Sequence, residues 1–195
     1  MERLVDKQQK VLEEATRRHV FEAVVRVTQK GNTPDFTVQQ VADEAGMAIG
    51  TLYNYFESKD TLLIYVFRQL FALNRERCDS VAFGPGRADQ RLERLATMFF
   101  QFGREYIIIF RIFNRTGLHH HLPEEERERN ANYDIERIRG ILVEGIREGV
   151  FQEMNAHLMA KVFFACMIGS LIAQPFLSEF SPEQISKELM RLFDV

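Results

Sequence analysis

The stretch Phe36 to Thr61 reads FTVQQVADEAGMAIGTLYNYFESKDT. Its opening Thr37 is an N-cap residue, and Gln40 three positions later completes a capping box, so a helix starts there. Val38, Val41 and Ala42 recur at helical spacing and mark the face to be buried. Ala45 permits a close helix approach, and Gly46 can take a positive φ, so the chain turns at this pair. A further short helix spans about Ala48 to Phe56, with Leu52 and Phe56 as its inward residues. Two short helices around a tight glycine turn, within about twenty residues, predict a helix-turn-helix.

Outward from that stretch, nearly every segment between breakers carries apolar residues three or four apart, and strand-like alternation is scarce. The expectation is an all-α protein of about nine helices. The first covers about Asp6 to Lys30, with Leu12, Ala15, Val20, Ala23, Val24 and Val27 on its apolar stripe and Gly31-Asn32 as the stop. Ser58 caps a fourth helix from Lys59 to about Asp79, and Gly84-Pro85-Gly86 is the clearest break. Later helices are predicted at about Ala88 to Tyr106, Ile107 to Arg115, Pro123 to Glu148, Asn155 to Leu177 and Pro182 to Phe193. Ser181-Pro182-Glu183-Gln184 is a second capping box, with proline at the first helical position.

The small core of the helix-turn-helix pushes its second helix away from the body of the protein, and a helix about 10 Å across fits a DNA major groove. Tyr53 and Tyr55 carry hydroxyls that can bond phosphate oxygens, and Thr37 and Lys59 offer similar contacts at the starts of neighbouring helices. The segment closely resembles the TetR family of bacterial transcription regulators. The resemblance rests on Thr37-Val38, Ala45-Gly46, Gly50-Thr51-Leu52-Tyr53 and Phe56-Glu57-Ser58-Lys59, and extends over about Val20 to Phe67. It implies a DNA-binding domain of three helices over residues 1–58. It also implies a C-terminal helical domain over 59–195 for ligand binding and dimerisation, with the helix at about 59–79 connecting the two. Carried over by position, Gln39, Ile49, Gly50, Thr51, Asn54 and Tyr55 match contacts to bases or the groove wall, and Thr37, Tyr53 and Lys59 match phosphate contacts. Ala48 stands where the family often has serine, which removes one phosphate bond. Ile49 replaces a polar or basic residue and suits a thymine methyl, so base reading falls to Gln39 and Asn54, both competent for adenine. The resemblance implies a homodimer that represses a promoter from a palindromic operator and releases it on binding a small molecule.

Charge sets a boundary on this reading. The whole chain has a formal net charge of −3, and residues 1–60 hold eight basic and ten acidic residues. No global positive field advertises a nucleic-acid partner, and a modest salt dependence of DNA binding follows. Cys78 and Cys166 are too few for a disulfide framework and suggest a reducing cytosol. The opening MERLVDKQQK has no apolar stretch of the signal-peptide kind. The longest uncharged run, Val162 to Ser178, is 17 residues, whereas a membrane span needs roughly 20 mostly apolar ones. A cytoplasmic protein without a membrane partner is expected.

The remaining two-thirds is rich in phenylalanine. Phe99, Phe102, Phe110 and Phe113, with Tyr106 and Tyr133, are candidates for a cavity that takes a small hydrophobic effector, such as a fatty acyl compound with an anionic end. For any single one of them a place in the core is the commoner role. Ala165, Cys166, Gly169, Ser170 and Ala173 lie on neighbouring turns and let another helix come close. With Ile185, Leu189 and Leu192 of the last helix they are candidates for a homodimer interface built as a four-helix bundle. His119, His120 and His121 precede three glutamates, but consecutive residues point in different directions, so no metal site and no cofactor is assigned. There is no nucleophile elbow, phosphate loop or HExxH pattern, so an enzyme acting on an apolar substrate is the weaker alternative, as is a protein-binding adaptor.

Overall fold

The computed structural model describes residues 4–31, 36–173 and 176–192; the side chains of residues 4–6, His119 and Leu192 also lie outside the described set. Among the described residues the chain is helical throughout. It forms α1 (Leu4–Gly31), α2 (Val38–Glu44), α3 (Ile49–Tyr55), α4 (Lys59–Ala82), α5 (Ala88–Glu105), α6 (Ile107–Thr116), α7 (Glu124–Glu148), α8 (Ala156–Ile172) and α9 (Pro182–Leu192). A short 3-10 helix, Leu118–His121, joins α6 to α7 and has no counterpart in the sequence reading. The other departures are small, the largest being α8, which stops at Ile172 rather than near Leu177.

The helices divide into two compact units, one of Met1–Phe71 with Tyr106–Leu122 and one of Ala72–Glu105 with Pro123–Val195. The division falls inside α4 rather than at residue 58, and α6 belongs with the N-terminal helices. The reason is aromatic: Phe113 of α6 stacks flat on Phe67 of α4 with ring centroids 3.4 Å apart, and Phe110 meets the same ring edge-on at 5.6 Å.

In the first unit α1 packs on α2 and α3. Val20, Ala23 and Val24 of α1 are buried, as are Val41 and Ala42 of α2 and Leu52 of α3. The α1 stripe begins later than its periodicity suggests. Leu12 and Ala15, expected inward, are exposed, Leu12 by 66 %, because they precede the part of the helix that α2 and α3 cover. Both predicted caps form. The Gln40 N–H donates to Thr37 Oγ1 at 3.1 Å while the Thr37 N–H donates to Gln40 Oε1 at 2.8 Å. Ser58 and Thr61 exchange the equivalent bonds at the start of α4, at 3.0 and 3.1 Å.

In the second unit the core gathers α5, α7, α8 and α9 around Leu92, Leu95, Phe100, Ile138, Leu142 and Phe163. Arg91 and Arg137 are also buried, each held by carboxylates: Arg91 by Glu144, and Arg137 by Asp79 at 2.9 Å and by Asp134. Leu189 of α9 is only 5 % exposed and joins this core. It was expected to meet a second copy, but α9 turns its apolar face onto α5 of the same chain.

The turn between α2 and α3 depends on backbone geometry. Gly46 has φ +64°, and the Met47 N–H closes the turn on the Ala42 carbonyl at 3.0 Å. Gly50, in α3, is in open space at ordinary helical φ. The two glycines should therefore respond oppositely to alanine: Gly46→Ala is expected to cost about 1–2 kcal/mol, and Gly50→Ala to add about 0.5–1 kcal/mol. Urea unfolding of both variants beside the parent chain measures the difference, and equal signs would contradict it.

Candidate nucleic-acid interface and effector region

α3 is only seven residues long and turns one side chain, Leu52, fully inward. Its other residues are left outward. Ala48, Ile49, Gly50, Thr51, Tyr53 and Asn54 are all exposed, and Tyr55 is half-buried. Thr37 and Gln39 are exposed at the start of α2. Of the residues expected to contact DNA, all but Lys59 thus lie on α3, its N-cap and the first turn of α2 with its cap. Thr37 Oγ1 accepts the capping bond, so its own hydrogen remains to donate to a phosphate oxygen.

Two of the expected contacts are already engaged. Lys59 Nζ donates to the Phe36 carbonyl and sits 4.5 Å above the Phe36 ring, so this half-buried cation braces the entry to α2. Gln39 Nε2 donates to Asp43 Oδ1 at 2.7 Å. Basic residues of α1 are also spent within the fold. Arg26 and Lys30 both bind Glu44 of α2, at 2.9 and 2.7 Å, and Arg17 binds Glu13 at 3.1 Å while lying 5.2 Å from the centre of the Phe56 ring. His19 Nε2 meets the Ala45 carbonyl at 3.1 Å, which ties α1 to the turn. These pairings were not legible in the sequence, where the same residues entered only as a count of charges. They explain how a domain with excess acid keeps a single geometry: the Glu44 carboxylate holds α1 against α2.

The effector candidates are shared between the two units. Tyr106, Phe110 and Phe113 belong to the first, where Phe110 and Phe113 pack on Phe67. Phe99 and Phe102 belong to the second and are buried, Phe99 edge-on to Phe100 at 5.8 Å and Phe102 beneath the Arg77 guanidinium at 5.3 Å. Tyr133 is exposed and lines an open groove of about 320 Å³ in the second unit, with Phe83, Arg91, Gly140 and Ile141 among its other walls. Its hydroxyl donates to Asp79 Oδ2 at 2.7 Å, and this bond to a carboxylate pushes the phenol pKa up. The groove residues other than Tyr133 escaped the sequence reading: those on α7 repeat at ordinary helical spacing, and only folding sets them beside the end of α4 and Arg91 of α5.

On α8, Ala165 and Gly169 are exposed and Cys166, Ser170 and Ala173 half-buried. They continue into a surface that the sequence reading did not single out: Leu158, Val162 and Ile172 are exposed by 58, 42 and 64 %. Residues 158, 162, 165, 169 and 172 repeat at intervals of four and three, a single apolar seam. Ile185 is half-buried against the core of its own unit, and the Leu192 side chain lies outside the described residues. Burial pushes the Cys78 thiol up to about 11, which keeps it protonated and unreactive. Among the described residues no three His, Cys, Asp or Glu side chains gather as a metal site, and no helix is long and apolar enough to cross a membrane. The His119 side chain lies outside that set.

Residues 21–66 match the family model of bacterial regulatory proteins, tetR family. That segment, which contains α2 and α3, is a tetR-family DNA-binding domain by this match. It is 33 % identical over 76 residues to the HTH-type transcriptional repressor KstR of Mycolicibacterium smegmatis, a match covering 39 % of this chain and 37 % of that repressor. The chain thus spans under half the length of the curated relative it matches over this domain. It is also 25 % identical over 148 residues to a fatty acid metabolism regulator protein of Bacillus subtilis, covering 74 % of this chain and 76 % of that one. The fold matches that of the Bacillus subtilis regulator FadR in complex with stearoyl-CoA, with a TM-score of 0.67, 20 % identity, and coverage of 90 % and 96 %.

The Lys30 bond, and after it the Arg26 bond, hold the Glu44 carboxyl below the usual carboxylate range. A lowered folded-state pKa gives stability that is complete above the ordinary glutamate range and is lost as pH falls through the lowered value. The stability difference between the parent chain and Glu44→Gln should therefore be constant near neutrality and shrink toward zero in strong acid. Unfolding curves at pH 7, 5 and 3 measure it, and a difference that grows with acid would contradict the assignment.

Proposed function

We propose that this protein is a ligand-responsive transcriptional repressor that binds a palindromic operator as a homodimer and leaves it when a hydrophobic small molecule binds. The observation that carries the reading is α3, whose exposed residues are those a major-groove helix uses and whose sequence lies within the family match. Thr37 and Tyr53 act on phosphates, Asn54 and Gln39 read bases, and Ile49 and the exposed faces of Ala48, Gly50 and Thr51 meet the groove wall. Two such helices about 34–36 Å apart enter successive major grooves. The chain works in the cytoplasm, where operator DNA is found, and regulation rather than catalysis is its activity.

The apolar seam on α8 supports a homodimer, since a self-complementary stripe on one helix pairs with its two-fold mate. The effector is a long-chain acyl thioester or a compound like it. Two similarities support this class: the fatty acid metabolism regulator, and the fold match to a regulator bound to stearoyl-CoA. α4 is the element through which the effector acts, because residues 59–71 belong to the unit with the recognition helix and residues 72–82 to the other.

Fluorescence anisotropy with fragments of the gene's own upstream region tests the reading. Saturable binding at two chains per site, surviving random competitor and released by stearoyl-CoA, is the expected outcome. Asn54→Ala should weaken operator binding by about 1–3 kcal/mol without changing non-specific binding. With so many cations paired internally, the slope of log K against log salt should be shallow, at about −0.9 per neutralised phosphate. Val162→Asp should give monomers in sedimentation and weaken operator binding. Binding indifferent to sequence would overturn the repressor reading, and release by no acyl thioester would remove that effector class.

A further inference from the structure

We propose that Asp43 is a positioning residue that makes Gln39 select adenine over guanine, an inference that rests on the DNA-reading role given to α2 and α3 above. Gln39 and Asp43 are one helical turn apart on α2, and both are exposed. The Gln39 amide donates to Asp43 Oδ1 at 2.7 Å. A carboxylate only accepts hydrogen bonds, so the amide must face it with its NH2 group. One of the two amide hydrogens is thereby consumed, and the carbonyl oxygen is turned away from Asp43.

What remains on Gln39 is one donor beside one acceptor. That pair complements adenine in the major groove, which offers N7 as acceptor and the N6 amino group as donor. Guanine offers two acceptors there, N7 and O6, and an unrestrained glutamine can meet both with its two amide hydrogens. With one hydrogen held by Asp43, the guanine arrangement is closed to Gln39. The carboxylate also lies beside the base edge and disfavours a second acceptor brought near it. Asp43 touches no base in this account and acts only through Gln39. Its negative charge simultaneously lowers affinity for any phosphate backbone, so selectivity and affinity are set against each other at one residue.

Selection from a pool of randomised duplexes, carried out with the parent chain, Gln39→Ala, Asp43→Ala and Asp43→Asn, tests this. The base pair whose preference disappears in Gln39→Ala is the one Gln39 reads. At that pair the parent chain is expected to favour A·T over G·C by roughly 5- to 150-fold, the range of a bidentate contact. Asp43→Ala should narrow the preference at that pair to within about twofold, as both amide hydrogens become free for guanine, while affinity for the best sequence is unchanged or raised. Asp43→Asn, whose amide can either accept from or donate to Gln39, should fall between the two. Loss of affinity in Asp43→Ala across all sequences, with the base preference intact, would show a structural role and overturn the proposal. So would a base preference that Gln39→Ala or Asp43→Ala leaves unaltered. If the parent chain itself enriches no sequence, the DNA-reading role fails and this inference fails with it, a result distinct from selective binding that ignores Asp43.

Discussion

A helix of seven residues does not hold together in water, because closing its first turn costs more than its few hydrogen bonds return. α2 and α3 are both of that length, so their existence depends on burial against α1. Val41, Ala42 and Leu52 are sealed from solvent together with Val20, Ala23 and Val24. Burying each of these valines and Leu52 contributes about 1.5–3 kcal/mol, which is the scale needed to offset the ordering of so short a helix. The same constraint dictates the chemistry of the surface. Once Leu52 is committed inward, the outward positions of α3 are free of any packing duty and can be chosen for what they touch.

Electrostatics serve that geometry more than they serve attraction. Arg26 and Lys30 could have faced phosphates, yet both are drawn to Glu44, and Lys59 is bound to the Phe36 carbonyl. Exposed ion pairs add little stability individually, but here they bridge separate helices and fix the angle between α1 and α2. The domain thus gives up part of a positive field for a rigid frame. In the proposed reading, recognition falls correspondingly on hydroxyl and amide groups, whose bonds to phosphates and bases need alignment rather than net charge.

In the second unit, charge is buried for a similar purpose. Arg137 lies between Asp79 of α4 and Asp134 of its own helix, and burial pushes the Asp134 carboxyl up while the guanidinium opposes that shift. Tyr133 joins the same cluster through Asp79, with Arg75 stacked 4.1 Å from its ring centre. Removing one member of such a group leaves another buried and unpaired, which costs far more than the intact pairing contributes. The C-terminal half of α4 is therefore tied to α7 by bonds that tolerate little displacement, beside the groove that Tyr133 lines.

Local chemistry was legible in the chain itself. The capping boxes at Thr37 and Ser181, the turn at Gly46, the break at Gly84-Pro85-Gly86 and the helical spacing of apolar residues each depend on neighbours within a few positions, so the helices and the exposed face of α3 could be read directly. Partners far apart in the chain could not. Leu12 and Leu189 have equally apolar side chains, but one is left in solvent and the other is enclosed, because only packing determines which part of a stripe is covered. Charged residues such as Arg91 and Arg137 resemble those of any solvated face until tertiary contacts bury them. The sequence by itself determined where helices begin, turn and end, since those are short-range properties of the backbone. The tertiary structure alone decided which charges are paired and which apolar faces remain open, since both depend on groups brought together only by folding.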